Sequence, residues 1–311
     1  MEMDGNIVLK KIGLLIGVAA CGALVTSCGD DETPDPTPTE TATPTPTPTA
    51  AVDYDFAADF AAQSQNANFI AAFFTADGAT AEFFNSGSRL NGLSGITYVA
   101  SPNSVTFAFP DLADPVVFDA DDFVSGSATE RRYVMGDQAL SLLLPFENVL
   151  RVQYGIDNQS FTQDSVSGSL RSERFAFFFN RVTTEADIDA TLSYTGDVQV
   201  TGGDPGETRA GALSSPETTF TITPGSDDTV TGTINVFETV DMVQTQVASL
   251  DVNVTLDANG TFVADVADAA NGLEGQIVGS LAGANREELL IVFSLGGEDD
   301  DRRILGSFIG N

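Results

Sequence analysis

The sequence predicts a mainly β protein: an eight-stranded antiparallel β-barrel at the C-terminus, a smaller β-rich domain before it, and a short helix leading into the folded body. Three observations carry this expectation. Apolar and polar residues alternate with period two over long stretches after about residue 90. Gly, Asn, Asp and Pro punctuate those stretches at short intervals, as hairpins require. A hydrophobic content of 42%, with 22 Phe, supplies a core, while the only cysteines, Cys21 and Cys28, leave the body without a disulfide framework.

The chain opens on an address rather than a domain. In "LKKIGLLIGVAACGALVTSCGD" two lysines precede an apolar run from Ile12 to Val25, then small residues and a cysteine. That is the order of a secretory signal, and the run is shorter than the ~20 residues a membrane-spanning helix needs. The small residues before cysteine resemble a bacterial lipobox, in which the cysteine is lipidated and becomes the mature N-terminus. Both Cys21 and Cys28 fit, and Cys28 is preferred because it allows the longer apolar run and the polar stretch begins at once. Residues 1–27 are then a lipoprotein signal peptide and 28–52 a Pro/Thr-rich tether. Alternating Thr-Pro keeps such a segment extended, and at ~3 Å per residue it reaches about 60 Å. Glycine, not aspartate, follows either cysteine, which under the sorting rule of enteric bacteria that it resembles implies the outer membrane.

Residues 53–84 are expected to form a helical or irregular lead-in. In "DYDFAADFAAQSQNANFIAAFF", Phe56, Phe60, Ala67, Ile70 and Phe74 fall on one helical face. Residues 85–168 are expected to form the β-rich domain. There "GITYV" and "SVTFAF" flank Ser101-Pro102-Asn103, "RYVM" and "ALSLLL" flank Gly136-Asp137, and "VLRVQYG" adds a strand.

Residues 169–311 are expected to form the barrel. In "ATLSYTGDVQV", Ala190, Leu192, Tyr194, Gly196, Val198 and Val200 share one face and Thr and polar residues the other. "TVTGTINV", "ASLDVNVTL", "GLEGQIVGSL", "EELLIVFSL" and "RILGSFIG" continue the pattern, with "FAFFF" and "TTFTIT" as further candidates. Closing such a sheet removes its free edges. Gly275 and Gly279 fall on the inward face, where a small barrel crowds its side chains and backbone approach is closest.

The final quarter, "GLEGQIVGSLAGANREELLIVFSLGG…RRILGSFIGN", resembles the closing strands of the transferrin-binding protein B-like family of surface lipoproteins. The matching positions are Gly283, Asn285, Glu287, Glu288, Gly306, Phe308 and Gly310. "ATLSYTG" resembles the strand that opens that barrel, and "LRVQYG" the last strand of the handle domain before it, so the resemblance spans about residues 90–311. It implies a handle plus β-barrel, lipid anchoring and display at the outer surface. Well-known members have two such lobes and this chain has room for one. The loops that contact host transferrin have no counterpart here, and single-lobe relatives bind other things, haem and a complement regulator among them, so no ligand and no ligand-binding residue is carried over.

Charge and composition exclude several functions. The net charge of −32 repels phosphate backbones, so nucleic acid is not an expected partner. With no histidine, the usual general base and the usual zinc and haem ligand are missing together. No nucleophile elbow, phosphate loop or dinucleotide fingerprint stands in context, so no enzyme, no catalytic residue and no cofactor is expected. Two acidic runs, Asp119/Asp121/Asp122 and Glu298–Asp301, could offer oxygen ligands but lack the spacing of a calcium loop and read as solvated loops, so no metal site is assigned. Tyr98, Tyr133, Tyr154 and Tyr194 sit at alternating strand positions suited to packing. The functional expectation is therefore a lipid-anchored outer-membrane protein that binds a protein or small ligand through its loops, in iron or haem acquisition by the resemblance. The alternative is an envelope structural or interaction lipoprotein with no role in uptake.

Overall fold

The structure, a computed structural model, describes residues 51–297 and 301–311. Cys21, Cys28 and the expected signal peptide lie outside the described residues, as does the tether up to residue 50. The described strands belong to one unit, Thr49–Asn311. They are antiparallel throughout and no helix occurs among them.

In place of the expected helix stand two strands, β1 (Phe60–Gln65) and β2 (Asn68–Ala76). Asn66, at φ 62°, breaks the chain between them in a conformation no right-handed helix contains. The misleading signal has a physical cause. β2 buries both faces: Phe69, Ala71 and Phe73 join one core, while Ile70 packs against another. A strand buried on both sides reads as a continuous apolar run, which period alone does not separate from a helix.

The next strands are β3 (Phe83–Arg89), β4 (Leu93–Val99), β5 (Ser104–Ala108) and β6 (Val116–Phe118). After them come β7 (Phe123–Gly126), β8 (Glu130–Met135), β9 (Gln138–Leu143) and the long pair β10 (Val149–Gln163) and β11 (Val166–Phe179). They form two sheets, not one. Strands β1-β4-β5-β6 make a four-stranded sheet, and β3-β2-β11-β10-β9-β8-β7 a seven-stranded one. The hairpins expected at Ser101–Asn103 and Gly136-Asp137 are present, with Asn103 at φ 71° and Gly136 at φ 59°. The expected boundary between residues 168 and 169 falls inside β11. "FAFFF" therefore belongs to the seven-stranded sheet, not to the C-terminal one.

The rest of the chain forms β12 (Leu192–Gly203), the two-residue β13 (Leu213–Ser214), β14 (Thr218–Thr223), β15 (Thr229–Val240) and β16 (Val243–Thr255). It ends with β17 (Thr261–Asp268), β18 (Leu273–Ala282), β19 (Glu288–Gly297) and β20 (Arg303–Gly310). Eight of these pair in the order β17-β18-β19-β20-β12-β14-β15-β16, with β13 alongside β15. Every one of the eight contributes inward residues to a single core, among them Tyr194, Phe220, Ile234, Leu250, Phe262, Ile277, Phe293 and Phe308. One face of one sheet can meet itself only if the sheet rolls. The two ends of the ladder, β16 and β17, are consecutive in sequence and joined by a turn at Asp257–Thr261. No ladder pairs them among the described residues. The N–H of Ser249 in β16 instead donates to the Asp268 carboxylate of β17 at 2.6 Å.

Three cores therefore alternate with three sheets. The first lies between the four- and seven-stranded sheets, where Phe60, Tyr98 and Phe107 meet Tyr133, Leu150 and Phe178. The second joins the other face of the seven-stranded sheet to the outside of the rolled one, where Phe69, Phe175 and Phe177 meet Leu290, Val292 and Leu305. The third fills the roll. Burying each such side chain contributes about 1.5–3 kcal/mol. "EELLIVFSL" is nearly all apolar because β19 is buried on both sides: Leu289, Ile291 and Phe293 point inward, Leu290 and Val292 outward.

The glycines of β18 match their expected role. Gly279 sits opposite Phe262, whose ring occupies the space of the missing side chain, only 2.0 Å from where a Cβ would stand. At Gly275 a Cβ would stand 1.9 Å from the Ser294 carbonyl oxygen of β19, so the neighbouring backbone presses directly on it.

A polar node closes the junction of the layers. Asn180, just after β11, accepts from the Val52 N–H (2.7 Å) and donates to the Val52 carbonyl (2.9 Å), fixing the start of the described chain. Asn148 donates through its backbone N–H (2.8 Å) and its amide (3.1 Å) to the buried Glu288 Oε1.

Candidate functional site

Strand alternation builds a polar surface outside the roll. Because Leu273, Ile277, Phe293, Leu295 and Ile304 point inward, Glu274, Gln276, Ser294, Gly296 and Arg303 point out. The register aligns them in two adjacent rows: Asp265–Gln276–Ser294–Leu305, and Ala267–Glu274–Gly296–Arg303. Across the first row lies β3, pressed down at Gly87, where a Cβ would stand 2.4 Å from Leu305 Cδ1. Beyond Gly87, Ser88 and Arg89 overhang the rows. The space they enclose is a cleft of about 720 Å³.

Two arginines line it. Arg89 donates one Nη2 hydrogen bond to Gln276 Oε1, and its Nη1 is buried without a partner. Burial lowers the Arg89 pKa from its ordinary value. Gln276 in turn donates to Asp265 Oδ1 at 3.3 Å, so the amide stands between the guanidinium and the carboxylate. Arg303 lies over Gly296 and donates from Nη1 to the Arg302 carbonyl at 2.6 Å. Among the described residues neither Arg89 nor Arg303 forms an ion pair. Those present are Arg171 with Glu82 and Glu173, Arg174 with Asp111, and Arg302 with Asp204.

A second cavity, about 430 Å³, opens beside Phe56, Tyr98 and Arg131. Its cation is already engaged. Arg131 stacks on Phe56 at 4.8 Å, donates to Tyr98 Oη at 3.3 Å and to the carbonyls of Phe56 and Glu130 at 3.2 and 2.8 Å, and also reaches the Ser127 carbonyl. That arrangement fastens the lead-in segment to the sheet and leaves little for a ligand.

Cys28, the expected lipidation site, lies outside the described residues, as do Glu298, Asp299 and Asp300 of the second acidic run. Asp119 and Asp122 accept backbone N–H bonds from Asp121 and Asp119 at 2.8 and 3.0 Å, which makes the first run a turn cap. No group of three or more metal-ligating side chains occurs among the described residues. Tyr98, Tyr133, Tyr154 and Tyr194 are all buried in strands and pack in the cores. Burial pushes the Tyr194 hydroxyl up to about 12, and it donates to the Arg286 carbonyl at 2.7 Å. The connection before β19 is a compact turn. Gly283 adopts φ 83°, and the Glu287 carboxylate accepts from the Asn285 N–H at 2.9 Å and its amide at 3.0 Å. These matched positions are structural, and none of them lines the cleft.

The sequence reading missed Arg89, Gln276 and Arg303. The signal available was alternation itself, which puts Gln276 and Arg303 on the outward face of their strands. Arg89 comes from a strand nearly two hundred residues away, and nothing local announces that it lies above them.

No family model matches the chain, and no curated protein matches it. Among solved structures, the chain is similar in fold to transferrin-binding protein B. Intact Ap-TbpB, with N and C lobes, aligns over 82% of this chain and 60% of its own at 11% identity and TM-score 0.38. The transferrin-binding protein B vaccine antigen of Haemophilus parasuis Hp5 aligns over 82% of this chain and 61% of its own, at 11% identity and TM-score 0.33. The chain thus spans about three fifths of the length of each.

Proposed function

We propose that this chain is a lipid-anchored binding protein of the outer membrane, displayed at the cell surface and not an enzyme, which captures its ligand on the outside of a handle-plus-barrel body. In this reading Cys28 carries the acyl chains and residues 28–52 form the tether. The handle ends with β11, the eight-stranded barrel runs from β12 to β20, and Asp268 fastens the barrel's seam. The single observation that carries the binding role is the cleft beside β3, where, among the described residues, Arg89 and Arg303 form no ion pair and Arg89 Nη1 is buried without a partner. Most arginines among the described residues form no ion pair, but Arg89 alone among them has a guanidinium nitrogen buried without a partner. Burying donors without partners costs stability, so such an arrangement persists where a ligand repays it.

The anchor supports the location. Each buried acyl methylene contributes about 0.8 kcal/mol, and more than one chain is needed for stable attachment. The test is palmitate labelling of growing cells with surface proteolysis of the full chain. The native protein is expected to label, to fractionate with the outer membrane and to be cut in intact cells. Cys28→Ser is expected to lose both label and membrane association. Label retained in Cys28→Ser moves the site to Cys21. Protection in intact cells contradicts surface display and favours the role of an envelope component facing inward.

A further inference from the structure

We infer that the cleft beside β3 binds a small zwitterion, an amino acid or short peptide presenting a carboxylate to Arg89 and Arg303 and an ammonium group to Glu274 and Asp265. This deepens the binding role proposed above and rests on it.

Among the described residues the lining is balanced, with two guanidiniums and two carboxylates in one cleft. The opposite charges come from different strands. In the row Glu274–Gly296–Arg303 the residue between the opposite charges is a glycine, so the strand that separates them contributes no side chain. Neighbouring strands lie about 4.8 Å apart, which puts the backbones of Glu274 and Arg303 about 10 Å from each other. Neither forms an ion pair among the described residues. In the adjacent row Gln276 performs the separation, donating to Asp265 and accepting from Arg89. A ligand carrying both charges completes both rows at once. Ser88 and Ser294 add hydroxyls at the margins.

The charge of the whole chain decides between ligand types. A net anion approaches against a field of −32, and a net cation finds acidic surface everywhere and no reason to choose this cleft. A zwitterion is neutral overall and is selected only where both signs stand at the right separation. Arginine suits the carboxylate, since its fork donates to both oxygens, and the buried Nη1 of Arg89 has a hydrogen to give. A volume of about 720 Å³ lies within the range of small-ligand sites and holds a chain of a few residues.

The test is isothermal titration of the full-length chain in detergent with triglycine, N-acetyltriglycine (anion only), triglycinamide (cation only) and glycine. Triglycine is expected to bind, and both single-charge analogues at least tenfold more weakly. The glycine arm reports whether an amino acid alone suffices. Arg89→Gln and Arg303→Gln are each expected to weaken triglycine at least tenfold, while Arg132→Gln, an exposed arginine of β8, leaves it unchanged. Melting temperatures accompany each variant, and if Arg89→Gln does not fold, Arg303→Gln and Glu274→Gln decide. Absence of triglycine binding at millimolar concentration, N-acetyltriglycine binding as tightly as triglycine, or equal loss in Arg132→Gln each overturns the inference. These titrations are independent of acylation, so their failure is distinguishable from a failure of the surface-lipoprotein reading.

Discussion

At Gly279 a single hydrogen atom decides whether β18 can lie against its neighbour. The Phe262 ring fills the position a side chain would take, and the ring is buried in the core of the roll. Gly279→Val is expected to cost about 1–3 kcal/mol by overpacking, read as a lowered midpoint in chemical denaturation. Glu288 is a second single-residue prediction. Burial, the largest influence, raises its pKa above the ordinary 4.5 despite the bonds from Asn148, and Oε2 has no partner. The folded state therefore holds the proton more tightly than the unfolded chain. The contribution of Glu288 to stability is greatest below about pH 4.5 and declines as pH rises through the folded value. Glu288→Gln is expected to remove that decline and to be at least as stable as the native chain at pH 7. A steeper decline in the variant would contradict this. The alternation that reveals Gly279 as inward is visible in the sequence. The isolation of Glu288 is not, because its partner Asn148 lies 140 residues away.

The seam between β16 and β17 is the weakest joint of the rolled sheet, since a side chain does there what a ladder does elsewhere. Asp268 accepts from Ser249 N–H at 2.6 Å and from the Asn271 amide at 2.7 Å. Burial alone would raise its pKa, but these bonds, led by that from Asn271, outweigh burial and hold it below the usual 3.8. A lowered carboxylate stabilises the fold above the unfolded pKa and loses that contribution as pH falls through the folded value. Asp268→Ala is expected to cost about 1.5–3 kcal/mol and to remove the matching part of the acid sensitivity. Hydrogen exchange should locate the change in β16 and β17, with β19 and β20 unaffected. Most of the other strands could be read from period alone, because one face is wet and the other dry. The exceptions are instructive. β2, β11, β19 and β20 are dry on both sides. For β2 the apolar run passed for a helix, and for β11 it was assigned to the wrong sheet, because neither reading could know that a second layer covers it.

On the scale of the molecule, three cores are stacked through shared strands. Phe177 and Phe178, adjacent in β11, belong to different cores, so neither layer can loosen without disturbing the other. Phe177→Ala is expected to cost about 3–5 kcal/mol. The loss should also reach tyrosines outside its own core. Tyrosine fluorescence, which reports Tyr54, Tyr98, Tyr133 and Tyr154 of the first core and Tyr194 of the third, should shift its midpoint together with far-ultraviolet circular dichroism. Two separated transitions would show that the layers melt independently. The cleft also belongs to this scale. It exists only because β3 of one sheet overhangs the outer face of another, so local pattern places Gln276 and Arg303 on an outward face but not beneath Arg89.

The amide of Asn180 grips both polar groups of Val52, and Asn180 follows directly on β11, the strand with a core on either side. Tension applied to the chain upstream of Val52 is therefore delivered to the centre of the stack and shared by every layer. A pull on that end is expected to meet the strand shared by two cores before it meets any edge strand.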